Sequence, residues 1–161
     1  MPDWITHILA AWMICTILSF KYKQINPAYT VVCMVGALIP DTFKITIPLG
    51  IMGINAENIL MPFHLPVGSL IIASFFTLFF KDHKKLVLSL LVLGVATHYA
   101  LDLLLINLNG GMVMLFPFSW DAWAFNIVPN DDYHITVLAM GLAVVVYFVS
   151  FWFKRRAKIK V

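Results

Sequence analysis

Apolar residues along this chain gather into five long stretches, Trp4 to Phe20, Ala28 to about Met52, Leu65 to Phe80, Leu86 to Leu108 and Tyr133 to Phe153. Between them lie KYKQINP, a polar patch around Asn55 to Asn58, KDHKK, and a long connection from Asn109 to Asp132. The stretches are apolar all round, without the stripes of soluble amphipathic helices. Each approaches the length of about 20 residues that carries a helix across a bilayer. The pattern predicts an all-α fold: a polytopic transmembrane helical bundle of about five helices. Pro40, Asp41, Lys44 and Pro48 interrupt the second stretch. There a helix from Ala28 to Ile39 should give way to irregular or re-entrant backbone, which at that depth must face protein or water because lipid offers no hydrogen-bond partner. With no repeat and no low-complexity tract, residues 1–161 read as a single integral membrane domain.

Composition agrees, with 61% hydrophobic residues and 12% charged and a mean hydropathy of +0.91. No soluble domain of this size has that balance. Met1-Pro2-Asp3-Trp4 lacks a basic leader and Lys21 and Lys23 follow the first stretch, so that stretch is expected to be retained as a helix. In a five-helix arrangement Lys21, Lys23, Lys81, Lys84, Lys85, Lys154, Arg155, Arg156, Lys158 and Lys160 fall on one side, and Lys44 alone on the other. Basic residues are retained in cytoplasmic loops, which predicts a multi-pass plasma-membrane protein with its N-terminus outside and its C-terminus cytoplasmic. Trp4, Trp120, Trp123 and Tyr133 then mark an outer aromatic belt, and Tyr22 and Trp152 an inner one. The net charge of +3 points to anionic lipid headgroups as surroundings and lends nothing to a nucleic-acid partner.

Ionisable side chains within apolar stretches are costly, and in membranes they mark functional sites. Here they are His7, Asp41, His64, His98 and Asp102. Counted at the helical rise from the cytoplasmic end of each segment, all five lie at depths of roughly 18 to 24 Å. Four segments thus deliver them to one level. In THYALD, His98 and Asp102 stand one helical turn apart and project from one face. Such a pair suits either an internal hydrogen bond or two ligands to one cation, and the common depth of all five favours a divalent metal, zinc before others.

Other residues have plainer readings. His7 could bond a carbonyl, Asp41 could cap a turn, and His64, between Pro62 and Pro66, could cap a helix. His83 reads as a solvated loop residue, and His134 lies near the interface at roughly 29 Å. Cys15 and Cys33 lack a metal-ligand spacing and read as small core residues without a disulfide. Asp121, Asp131 and Asp132 are either solvated or extend a metal shell. Glu57, the only glutamate, lies on the outer loop without local support as a base. The aromatic-rich GGMVMLFPFSWDAWAF segment reads as an interfacial anchor or as a rim over the site.

His7, then GALIPD ending in Asp41, then His64 at a helix start, then THYALD, resembles the YdjM-like family of membrane-bound, predicted metal-dependent hydrolases. The resemblance runs from Asp3 to about Phe118 on short motifs. Its ligand order is also similar to that of zinc-dependent phospholipase C. That likeness implies Asp41, His64, His98 and Asp102 on one zinc, with Asp102 bridging to a second ion held partly by His7. At the third motif, where many members carry HR followed by THS, this chain has PFHLPVGS.

A divalent ion activates water and polarises a bound group, and the sequence shows no rival nucleophile elbow or phosphate loop. The expected activity is therefore hydrolysis of a lipid-anchored ester, a phosphate ester above others, at the outer leaflet, using one or two ions. A metal or proton transporter, or a protein with a purely structural metal site, are the alternatives. A transporter should space its sites across the membrane, and here the cytoplasmic half looks dry.

Overall fold

The computed structural model describes residues 4–106, 110–129 and 133–159. Three helices are each long and apolar enough to cross a bilayer: α1 (Trp4–Lys21), α6 (Lys84–Leu104) and α7 (His134–Ile159). Between α1 and α6 the chain makes two bent pairs. The first joins α2 (Pro27–Leu38), across a 3-10 turn at Pro40–Ile45, to α3 (Thr46–Ile51), with a bend of 53°. The second runs from α4 (Glu57–Leu60) through a 3-10 turn at Met61–His64 into α5 (Pro66–Thr77), bent by 81°. Taking each bent pair as one span gives the five crossings expected from the sequence, with the second interrupted at the anticipated prolines. The break before α5 is an addition to that expectation. Pro62 and Pro66 lack the N–H groups that would continue one helix through the segment.

α2 and α6 form the centre of the bundle. They cross where Gly36 faces the Leu91 carbonyl and Gly94 faces the Cys33 carbonyl and the Ala37 amide, so closely that a Cβ on either glycine would strike backbone. Lipid tails solvate apolar side chains as well as another helix does, so close approach at small residues is what makes helices associate in a membrane. Around the crossing Ile39, Ala73, Val87, Leu91, Val95 and Tyr99 form one buried cluster, and Ala11, Cys15, Cys33, Ala37 and Leu90 form another against α1. Cys15 and Cys33 are unbonded core residues, as read from the sequence.

The connection after α6 folds back on the bundle as a two-stranded antiparallel ribbon, β1 (Met112–Val113) with β2 (Ala122–Trp123). Its backbone satisfies the carbonyls that the last turn of any helix leaves unpaired: Phe125 donates to the Leu103 oxygen, and Ile127 and Val128 to that of Leu104. Met112 is buried with the core of α6. The segment read as an interfacial anchor or rim therefore caps the end of α6 that carries Asp102.

Lys21, Lys84, Lys85 and Lys154 gather at the opposite end. Phe20 packs on Phe153 at 5.7 Å, Lys154 lies in a groove with Ser19 and Asn26, and Tyr22 shares another with Lys84 and Lys85.

Candidate metal centre

Each of the five intramembrane ionisable residues reaches the site from its own turn of backbone. α1 supplies His7 one turn from its start, the 3-10 turn after α2 supplies Asp41, the turn before α5 supplies His64, and the last two turns of α6 supply His98 and Asp102. His7 and His98 are 0% exposed and Asp41 and Asp102 4%, while His64 is part-buried.

The α2–α6 crossing sets the orientation of His98. One turn beyond Gly94, its Nδ1 lies 2.8 Å from the carbonyl oxygen of Ala37, next to Gly36. A carbonyl only accepts, so Nδ1 is the donor, and in the neutral ring Nε2 is left with its lone pair. His64 repeats the arrangement, with Nδ1 2.9 Å from the Pro40 oxygen. Metal-binding histidines are held in this manner, the far nitrogen fixed by a backbone carbonyl. His64 is itself placed by α6: the Tyr99 hydroxyl lies 3.0 Å from the His64 carbonyl and 2.7 Å from Ser69 Oγ, and Ser69 donates to the Phe63 carbonyl at 2.9 Å.

Around Asp102 the carboxylate divides between two rings, with Oδ2 3.2 Å from His98 Nε2 and Oδ1 3.5 Å from His7 Nε2. The His7 and His98 rings stack at 3.9 Å. Two groups of ligand atoms, His7 with His98 and Asp102, and Asp41 with His64 and His98, each lie within 4.8 Å of one another. His98 belongs to both, and with Nδ1 engaged it has one nitrogen to offer, so the two groups are faces of one site. The resemblance instead implies Asp102 as the bridging residue, and its divided carboxylate permits that too.

The site carries unmatched bonding capacity. His7 Nδ1 and Nε2, Asp41 Oδ1, His98 Nε2 and Asp102 Oδ1 are buried without a hydrogen-bond partner among the described residues. Each such atom costs about 1–3 kcal/mol, and native structures leave few of them, far less five together. Two imidazoles and two carboxylates from three elements form a donor set that fits a divalent cation.

One residue at the site escaped sequence reasoning, although it stood alone as the basic residue on its side. Lys44 lies three residues past Asp41, and a 3-10 turn places i and i+3 above one another. Its Nζ donates to Asp41 Oδ2 at 2.7 Å and stands 5.6 Å from the centre of the Trp4 ring. Other candidates lie apart. Asp121 closes a small turn with Ser119, Glu57 is exposed, His134 stacks on Tyr133, and His83 is exposed at the start of α6. Asp131 and Asp132 lie outside the described residues.

No curated protein and no solved structure matches this chain. A family model does, and the helices, the two breaks and the His/Asp cluster all lie within residues 1–160 that it covers, so the chain belongs to the YdjM inner membrane protein family.

Proposed function

We propose that this protein is a membrane-embedded, metal-dependent hydrolase of a lipid-anchored phosphate ester, with His7, Asp41, His64, His98 and Asp102 as its metal ligands. The observation that carries this reading is the set of five unpartnered buried atoms from three parts of the chain, with His64 brought to the same cluster from a fourth. Zinc is the expected ion, one or two per chain. Bound there, a divalent ion lowers the pKa of water toward neutrality and polarises a phosphoryl oxygen.

The chain's own residues supply the remainder. Backbone carbonyls of Ala37 and Pro40 hold His98 and His64 in the ligating tautomer. Burial of His7, Asp41, His98 and Asp102 in the bundle limits water at the site. Lys44, between Asp41 and Trp4, provides a cation for an approaching phosphate. A substrate with an acyl or isoprenoid anchor reaches this level laterally from the outer leaflet. The basic residues gathered at the opposite end support a cytoplasmic C-terminus.

Burial of four of the five residues also favours a second reading, a closed metal site that fastens α1, α2 and α6. Two measurements separate them. Purified protein should hold one or two zinc ions by mass spectrometry, falling sharply in His98→Ala and Asp102→Ala but not in His83→Ala. Zinc-loaded protein in mixed-lipid vesicles should release phosphate or a phosphorylated headgroup, and Asp102→Asn should not. Metal without release across a broad lipid panel supports the structural site, and equal metal in all three alanine variants removes both readings. For orientation, single cysteines at Ser119 and Lys154, in a background lacking Cys15 and Cys33, should label from opposite sides of the membrane; labelling from the same side breaks the arrangement.

A further inference from the structure

We propose that the lysine-rich end of the bundle holds a binding site for one anionic phospholipid, in the groove between the end of α1 and the start of α6. The groove encloses about 760 Å³, within the range of small-molecule sites. Its lining changes character along its length. Toward one end stand Lys84, Lys85, His83 and Tyr22, with Lys21 Nζ 5.5 Å from the Tyr22 ring. Beyond them the floor is Leu86, Leu90 and Leu93 of α6, which recur at helical spacing and so share one face, together with Leu18 of α1.

Both halves are needed to identify the ligand. Two lysines at the edge of the hydrocarbon attract a phosphodiester, and a free phosphate would need nothing more. A leucine floor running from that point into the membrane has no use for a soluble anion and accommodates an acyl chain. Zwitterionic lipid would fill the floor without using the lysines. Asp82, the one acidic residue of the KDHKK loop, does not line the groove.

This lipid is a resident of the fold and not the substrate proposed above. Lys84 precedes His98 by fourteen residues of one helix, which puts a headgroup beside Lys84 about 21 Å from the His/Asp cluster along the axis. A lipid so placed bridges the end of α1 and the start of α6.

Native mass spectrometry of the purified protein, titrated with phosphatidylglycerol or with phosphatidylcholine of identical chains, tests the site. One phosphatidylglycerol should be retained per chain with a preference of about 30-fold, the attraction of two interfacial lysines. Lys84→Gln/Lys85→Gln should erase that preference, and Lys154→Gln/Arg155→Gln should preserve it. Leu93→Trp, which fills the floor and leaves the charges, should also weaken phosphatidylglycerol. Equal retention of the two lipids by the parent protein overturns the site. So does an equal loss in both charge variants, which would mean diffuse attraction, or full displacement of lipid by millimolar inorganic phosphate.

Discussion

α6 and α7 are both apolar enough to cross a bilayer, with hydropathies of 1.8 and 2.2, yet half of the α6 segment is buried in the protein against 17% of α7. The more apolar helix is the peripheral one. α6 presents Gly94 at a crossing where no side chain fits, whereas Gly141 of α7 has nothing within 4 Å of a built Cβ. α6 also carries His98, Tyr99 and Asp102, all buried. On α7, Val137, Leu138 and Val145 are exposed, Val144 and Phe148 line a groove with Leu9 and Trp12 of α1, and a bond of 3.2 Å joins Thr136 to Thr6. Hydropathy thus identifies what meets lipid. Small and polar residues identify what meets protein.

The largest effect that this contrast predicts is on the two glycines. Gly94→Ala should destabilise the protein by about 3 kcal/mol in denaturant or detergent unfolding, because backbone must move away from backbone. Bound metal should fall with it, since the same crossing aims His98. Gly141→Ala should change stability by less than about 0.5 kcal/mol. Equal effects from the two substitutions would erase the distinction between the central and peripheral helices.

A smaller effect is expected at Tyr99, whose hydroxyl reaches the site through the backbone of His64 and whose ring lies edge-on to His98 at 5.7 Å. Tyr99→Phe should cost about 1 kcal/mol for its hydroxyl contacts and weaken zinc about tenfold in a chelator competition, as loss of outer support does at metal sites. Unchanged zinc affinity would mean that His64 is held without Tyr99 or is no ligand.

Much of this was legible in the linear pattern. Five apolar stretches, the break at Pro40 and the set His7, Asp41, His64, His98 and Asp102 all follow from composition and spacing, because the bilayer imposes length and excludes charge. The bend before α5 was less so: Pro62 and Pro66 signal a break, but an 81° turn depends on what the two arms pack against. The ribbon at Met112 and Trp123 gave no strand signal, since two-residue strands lie below any periodicity.

For this protein, then, the sequence alone set out which stretches are apolar enough to cross a membrane and which residues within them carry imidazole or carboxylate groups, because those depend on local chemistry and on length along a helix. Only the tertiary structure decided how they meet. The carbonyls of Ala37 and Pro40 choose the tautomers of His98 and His64, the carboxylate of Asp102 divides between two rings, and Lys44 closes on Asp41. Each depends on a crossing or turn that brings separate backbone into contact, and the spacing of residues along one strand of chain carries no record of that.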